Sequence, residues 1–119
     1  FAERSVTMRA VNNLRIGNNN VFMGPGPKIL LQSVERTASL RKACVETGIS
    51  YTKALRMLRR LDTELGFAVV DSAKGGNERG GTVLTAQGVR LLRAYEEIEA
   101  ETACFAQKLV DEKLGYLKR

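Results

Sequence analysis

Five side chains on one predicted helix carry most of the chemistry this sequence offers. Between Tyr51 and Leu65, the positions Thr52, Lys53, Arg56, Arg59 and Arg60 hold a hydroxyl and four cations, while Ala54, Leu55, Leu58, Leu61 and Leu65 fall on the opposite side at helical spacing. Both acids of the helix, Asp62 and Glu64, come after the last of these cations. A face that only meets water gains from mixing signs at i,i+4, whereas like charges there repel and cost helix stability. Guanidinium and ammonium groups segregated on one face fit two tasks: neutralising phosphates and, for arginine, bidentate reading of a guanine edge. Ser50, Tyr51, Thr52 and Lys53 stand at the helix N-terminus, where a groove-inserted helix meets base edges.

This helix is expected to be held by a second one. Ser39 is a helix-capping residue, and Leu40, Ala43 and Cys44 share a face over Leu40 to Thr47, so Cys44 reads as a small buried apolar residue and not as a reactive thiol. Gly48 ends that helix, Ile49 plugs the turn and Ser50 caps the next helix. After Gly66 come an apolar strand from Phe67 to Asp71, the tip GGNERGG and a return strand from Thr82 to Leu84. The tip neither follows a buried parallel strand nor opens a helix directly, so a nucleotide-cradling loop is disfavoured. The stretch from Ser39 to Thr85 therefore reads as a helix-turn-helix followed by a β-wing. On that reading Arg41 and Arg60 meet phosphate, Arg56 reads a base or binds phosphate, and Lys74, Asn77 and Arg79 of the wing lie along the neighbouring backbone or minor groove.

The flanks supply a platform and a pairing surface. Val6, Met8 and Ala10 alternate with Thr7 and Arg9, Leu14 and Ile16 flank Arg15, and Val21 to Met23 follows an Asn-rich turn: a hairpin over Ser5 to Met23 is expected. GPGP at Gly24 to Pro27 lacks the Gly-Lys-Ser/Thr ending of a phosphate loop and reads as a rigid turn into a helix. That helix starts at Pro27, reaches about Thr37 and buries Ile29, Leu30, Leu31 and Val34. Thr85 caps a last helix from Ala86 to about Leu114, on which Leu91, Tyr95, Ile98, Thr102, Phe105 and Leu109 alternate by four and three like a coiled-coil seam. A helix of that length has little to pack on in a small domain, so a second copy of the chain is the expected partner. The fold class is mainly α with small β: a winged helix-turn-helix (24–88) behind an N-terminal β-hairpin or arm (1–23), with a dimerisation helix (89–119) after it.

Composition narrows the classes. The chain has 119 residues, a net charge of +6, two cysteines and no histidine. Cys/His zinc sites and histidine acid–base chemistry are therefore excluded, and with no nucleophile elbow or paired carboxylates the expectation is a non-enzyme with no metal site and no cofactor. Two cysteines, no signal peptide and no apolar run near the ~20 residues of a membrane span point to a cytoplasmic protein that does not enter membranes. The positive charge is uneven: residues 1–38 and 39–81 are each net +3, and 82–119 is neutral. An initial Phe instead of Met leads us to expect a further segment upstream.

The residues also carry a resemblance. Gly24-Pro25-Gly26 before the first helix, Gly48-Ile49-Ser50-Tyr51 at the turn, Gly75-Gly76 with Gly80-Gly81 in the wing, and Leu84-Thr85-Ala86-Gln87-Gly88 opening the last helix resemble the N-terminal winged-helix domain of the ModE family of molybdate-responsive bacterial regulators, over about Leu14 to Tyr95. The RRLDTELG…LTAQG segment is also similar to the LysR family, whose first helix starts close to the N-terminus without a preceding hairpin. The resemblance implies a homodimeric regulator of double-stranded DNA. Full-length ModE proteins carry C-terminal oxyanion-binding domains of the small β-barrel type; none is expected in this chain, so molybdate is not expected to bind it. Where the family commonly shows acidic residues after the Ser-Tyr pair, this chain has Arg56, Arg59 and Arg60, which implies a different operator. The alternatives are a winged-helix module for protein–protein contact, which should show apolar or mixed residues on the recognition helix, and a LysR-type fragment.

Overall fold

The computed structural model describes residues 8–72 and 81–117. The elements run β1 (Ile16–Gly17), β2 (Val21–Met23), α1 (Pro25–Thr37), α2 (Leu40–Thr47), α3 (Tyr51–Leu65), β3 (Val70–Asp71), β4 (Val83–Leu84) and α4 (Ala86–Leu114), then a 3-10 turn at Gly115–Leu117. The protein is mainly α, with two antiparallel two-stranded sheets, β1–β2 and β3–β4.

Local signals set the helix boundaries. The side chains of Ser39, Ser50 and Thr85 accept from the backbone N–H of Lys42, Lys53 and Gly88 at 3.1, 3.1 and 2.9 Å. Each satisfies a donor that the first turn of its helix leaves orphaned, a contribution of about 1 kcal/mol per cap. Gly48, at φ 74°, ends α2 in the left-handed region and returns its N–H to the Cys44 carbonyl at 2.9 Å. Gly88 answers a different need: a Cβ built there would lie 2.1 Å from the Val69 carbonyl oxygen, so only glycine lets α4 start hard against the β3 approach. Ala38 ends α1 at φ 56° without glycine's freedom. Its carbonyl accepts from the Thr82 N–H at 3.0 Å, tying the α1 terminus to the segment before β4.

The core gathers Leu30, Leu31 and Val34 of α1, Leu40, Ala43 and Cys44 of α2, Ala54, Leu58 and Leu61 of α3, Leu92 and Tyr95 of α4, and Met23 and Val69 from the flanking segments. Polar links brace α1 against α4: Lys28 with Glu99 at 2.9 Å, Gln32 with Glu96 at 2.8 Å, and Arg93 with Glu35 at 2.5 Å.

Four expectations need correction. The N-terminal strand does not form: residues 8–15 run without regular structure, Val6 lies outside the described residues, and the hairpin shrinks to Ile16–Gly17 against Val21–Met23. The backbone of Met8 and Ala10 instead pairs with one side chain of α4. Gln107 donates to the Met8 carbonyl at 2.9 Å and accepts from the Ala10 N–H at 2.8 Å, an exchange of the kind a neighbouring strand would make. Helix α1 starts at Pro25, two positions before Pro27, because both prolines fit a first turn whose N–H groups have no intrahelical partner. Ile29 is 41% exposed, and Ser33 takes the buried place, its hydroxyl donating to Glu46 at 2.5 Å. Of the expected strand from Phe67, only Val70–Asp71 pairs; Phe67 packs on the core instead.

Candidate nucleic-acid interface

Helix α3 lies on its apolar stripe, with Ala54 and Leu61 fully buried, Leu58 nearly so, and Leu55 and Leu65 half-buried. That fixes what faces outward: Tyr51, Thr52, Lys53, Arg56, Arg59, Arg60 and Thr63 are all exposed. The turn at Gly48 and the Ser50 cap place Ser50 to Lys53 at a free helix end whose backbone dipole favours negative charge. The Ser50 hydroxyl oxygen accepts from the Lys53 N–H, and a hydroxyl that accepts can still donate its own proton.

Among the described residues, no cation of this surface has an acidic partner. The ion pairs join Lys28 to Glu99, Arg36 to Glu46, and Arg93 to Glu35 and Glu96, all away from α3. The acids at the end of α3 are occupied with architecture: Asp62 accepts from the Val69 N–H at 3.2 Å, and Glu64 accepts from the Asn18 side chain at 2.9 Å. Helix α3 thus spends its negative charge holding the two flanking hairpins and leaves its positive charge unpaired.

Two groupings emerge. At one end, the Arg41 guanidinium of α2 sits over the Tyr51 ring, 5.7 Å from its centroid, a cation–π contact that holds both side chains beside the helix start. On the other flank, Lys53, Arg56 and Arg60 line a cleft with the β1–β2 hairpin, and Arg60 Nη1 approaches the Val21 carbonyl at 3.5 Å. Lys74, Asn77 and Arg79 lie outside the described residues. Sequence reasoning missed Arg15 and Phe22, which complete the cleft. Arg15 had a signal, since the alternation of Leu14, Arg15 and Ile16 turns it away from the apolar side; Phe22 had none.

The expected pairing residues divide between two surroundings. Tyr95 is only 1% exposed and donates its hydroxyl to the Leu14 carbonyl at 2.7 Å, so the chain itself uses it. Burial, and secondarily the Glu99 carboxylate, push its phenol above the usual tyrosine range. Leu91 packs half-buried on the core. Ile98, Phe105 and Leu109 are 42%, 63% and 37% exposed, and the Thr102 hydroxyl bonds back to the Ile98 carbonyl at 2.8 Å. Leu92, outside the expected seam, is fully buried.

Among the described residues no three His, Cys, Asp or Glu side chains are grouped to hold a metal, and no helix is long and apolar enough to cross a membrane. Cys44 is buried, which raises its thiol pKa, and Cys104 is exposed; both are free.

No protein-family model matches the chain. It is 40% identical over 95 residues to a molybdenum-pterin-binding protein, MopB, of Rhodobacter capsulatus, covering 80% of this chain and 35% of that protein. It is 30% identical over 76 residues to the DNA-binding transcriptional dual regulator ModE of Escherichia coli, and 29% identical over 79 residues to the molybdenum transport protein ModE of Herbaspirillum seropedicae, covering 64% and 66% of this chain and 29% of each relative. The chain thus spans about a third of the length of the curated relatives it matches.

Proposed function

We propose that the chain, related over most of its length to MopB and ModE proteins of bacteria, is the DNA-reading part of a ModE-type transcriptional regulator, a winged helix that acts in the cytoplasm without catalysis. The observation that carries this reading is the outward face of α3: four cations without acidic partners among the described residues, on a capped helix whose opposite face is seated in the core. Such a face binds duplex DNA by counterion release and by contacts to base edges in the major groove.

In the proposed complex α3 enters the groove. Tyr51, Thr52 and Lys53 approach base edges and nearby phosphates, and Arg56 is the residue best placed along the helix to take a guanine edge. Arg41 and Arg60 flank the helix and contact phosphate, with Lys74, Asn77 and Arg79 serving the adjacent backbone. Two copies pair through the later part of α4, presenting two α3 helices to half-sites about 34 Å apart or a multiple of it. The units that do this are the arm (1–23), the reading head (24–88) and the pairing helix (89–119).

The test is selection of duplexes from a random library followed by fluorescence anisotropy. Arg56→Ala should cost about 1–3 kcal/mol on the selected site and much less on random DNA. Equal loss on both would assign Arg56 to phosphate. Failure to enrich any sequence would remove sequence-specific reading.

A further inference from the structure

The cleft beside α3 is not accounted for by a helix meeting a groove. It has a volume of about 310 Å³, at the small end of the roughly 300–1,000 Å³ range of small-molecule sites. Lys53, Arg56, Met57 and Arg60 line it from α3, and Arg15 and Phe22 from the β1–β2 hairpin, with the Gly-Pro-Gly-Pro turn joining the two. The turn and α3 meet closely there: a Cβ at Gly26 would lie 2.8 Å from the Met57 terminal methyl. All four cations lack an acidic partner among the described residues.

The two halves of this lining ask for different things of one ligand. Four cations ask for negative charge. An aromatic ring and a polarizable thioether ask for a flat apolar body. A phosphodiester of duplex DNA supplies the charge, but its bases are stacked inside the helix and leave the ring and the thioether unmatched. An inorganic oxyanion fails in the same way. We propose that the cleft between the β1–β2 hairpin and α3 binds a small planar organic anion, its ring against Phe22 and Met57 and its phosphate or carboxylate held by Arg15 with the cations of α3. Because Lys53, Arg56 and Arg60 are the side chains assigned to DNA above, the bound anion and DNA exclude one another. This competition rests on the DNA reading; the site itself does not.

The probe is adenosine 5′-monophosphate, which joins a planar base to a phosphate. Adenosine serves as the plane alone, with inorganic phosphate and molybdate as charge alone. Calorimetry on the whole chain, with amide and methyl NMR shifts to locate the ligand, should show saturable binding of the nucleotide, shifts at Phe22 and Met57, and roughly tenfold weaker binding of each control. Arg15→Gln should weaken the nucleotide about tenfold, with an unchanged melting temperature showing that the variant is folded. Phosphate or molybdate binding as tightly as the nucleotide would overturn the proposal in favour of a bare anion seat. Adenosine binding as tightly, or no saturation below about 10 mM nucleotide, would overturn it as well. A chain that binds DNA but not the nucleotide loses this site and keeps the DNA reading. A chain that binds the nucleotide but no DNA keeps the site and loses that reading.

Discussion

Helix α4 is one continuous helix with two different surroundings. From Gly88 to Tyr95 it lies in the core: Gly88, Leu92 and Tyr95 are buried, and Leu91 packs beside them. After Tyr95 no described residue is buried, although Ile98, Phe105 and Leu109 continue the apolar spacing. The molecule measures 61 × 31 × 22 Å, and its radius of gyration of 18.4 Å exceeds the ~13–14 Å of a compact chain of this size. The contrast teaches that helix formation and helix burial answer to different causes. The Thr85 cap and helix-favouring residues such as Ala, Glu, Leu and Lys sustain the whole length. Burial needs a neighbour, and α1 reaches along α4 only as far as Glu99, through Arg93–Glu35, Gln32–Glu96 and Lys28–Glu99.

The strongest way to break the comparison is through Leu92. Leu92→Ala removes a fully buried side chain and should lower unfolding free energy by about 2–5 kcal/mol in denaturant titration, because the cavity adds to the lost transfer energy. A cost near that of a surface change would mean that the first half is not core. Tyr95→Phe should cost less, about 0.5–1.5 kcal/mol, for loss of the bond to the Leu14 carbonyl. It should also flatten the alkaline limb of the stability profile. With the folded phenol raised above its ordinary value, the unfolded chain ionises first. The contribution is therefore complete below the ordinary tyrosine pKa and is lost as pH rises toward the folded value. A profile that keeps its alkaline limb in the variant would take Tyr95 out of that role. The smallest stability effect belongs to Phe105 in the projecting half. Phe105→Asp should change monomer unfolding by no more than about 0.5 kcal/mol while abolishing self-association in sedimentation. A wild-type chain that sediments as a monomer at micromolar concentration would instead remove the pairing role of α4.

The same distinction explains what was legible in the sequence. Helices α2, α3 and α4 announce themselves locally, through Ser39 and Gly48, Ser50 and Gly66, and Thr85, so their boundaries were readable residue by residue. The N-terminal segment was misread because alternation at Met8 and Ala10 says extended backbone but not what pairs with it; the partner, Gln107, is nearly a hundred residues away. Ile29 and Ser33 exchanged roles for a similar reason. A buried serine needs an acceptor, and Glu46 of α2 supplies it, its carboxyl held below the usual range by the Ser33 hydroxyl and then by Arg36. In the candidate site the outward face of α3 was legible from helical periodicity alone. The place of Arg15 and Phe22 beside it was not, although alternation turned Arg15 outward, because only the fold brings the hairpin alongside that helix.

The central claim is that the unpaired cations of α3, with Arg41 of α2 beside them, are there for duplex DNA, and salt tests it most directly. Anisotropy titrations of a selected duplex between about 50 and 200 mM salt should show affinity falling steeply, with a log–log slope that becomes shallower by about one unit for each phosphate-contacting cation replaced, as in Arg41→Ala. Affinity indifferent to salt, or a slope that Arg41→Ala and Arg60→Ala leave unchanged, would contradict the account.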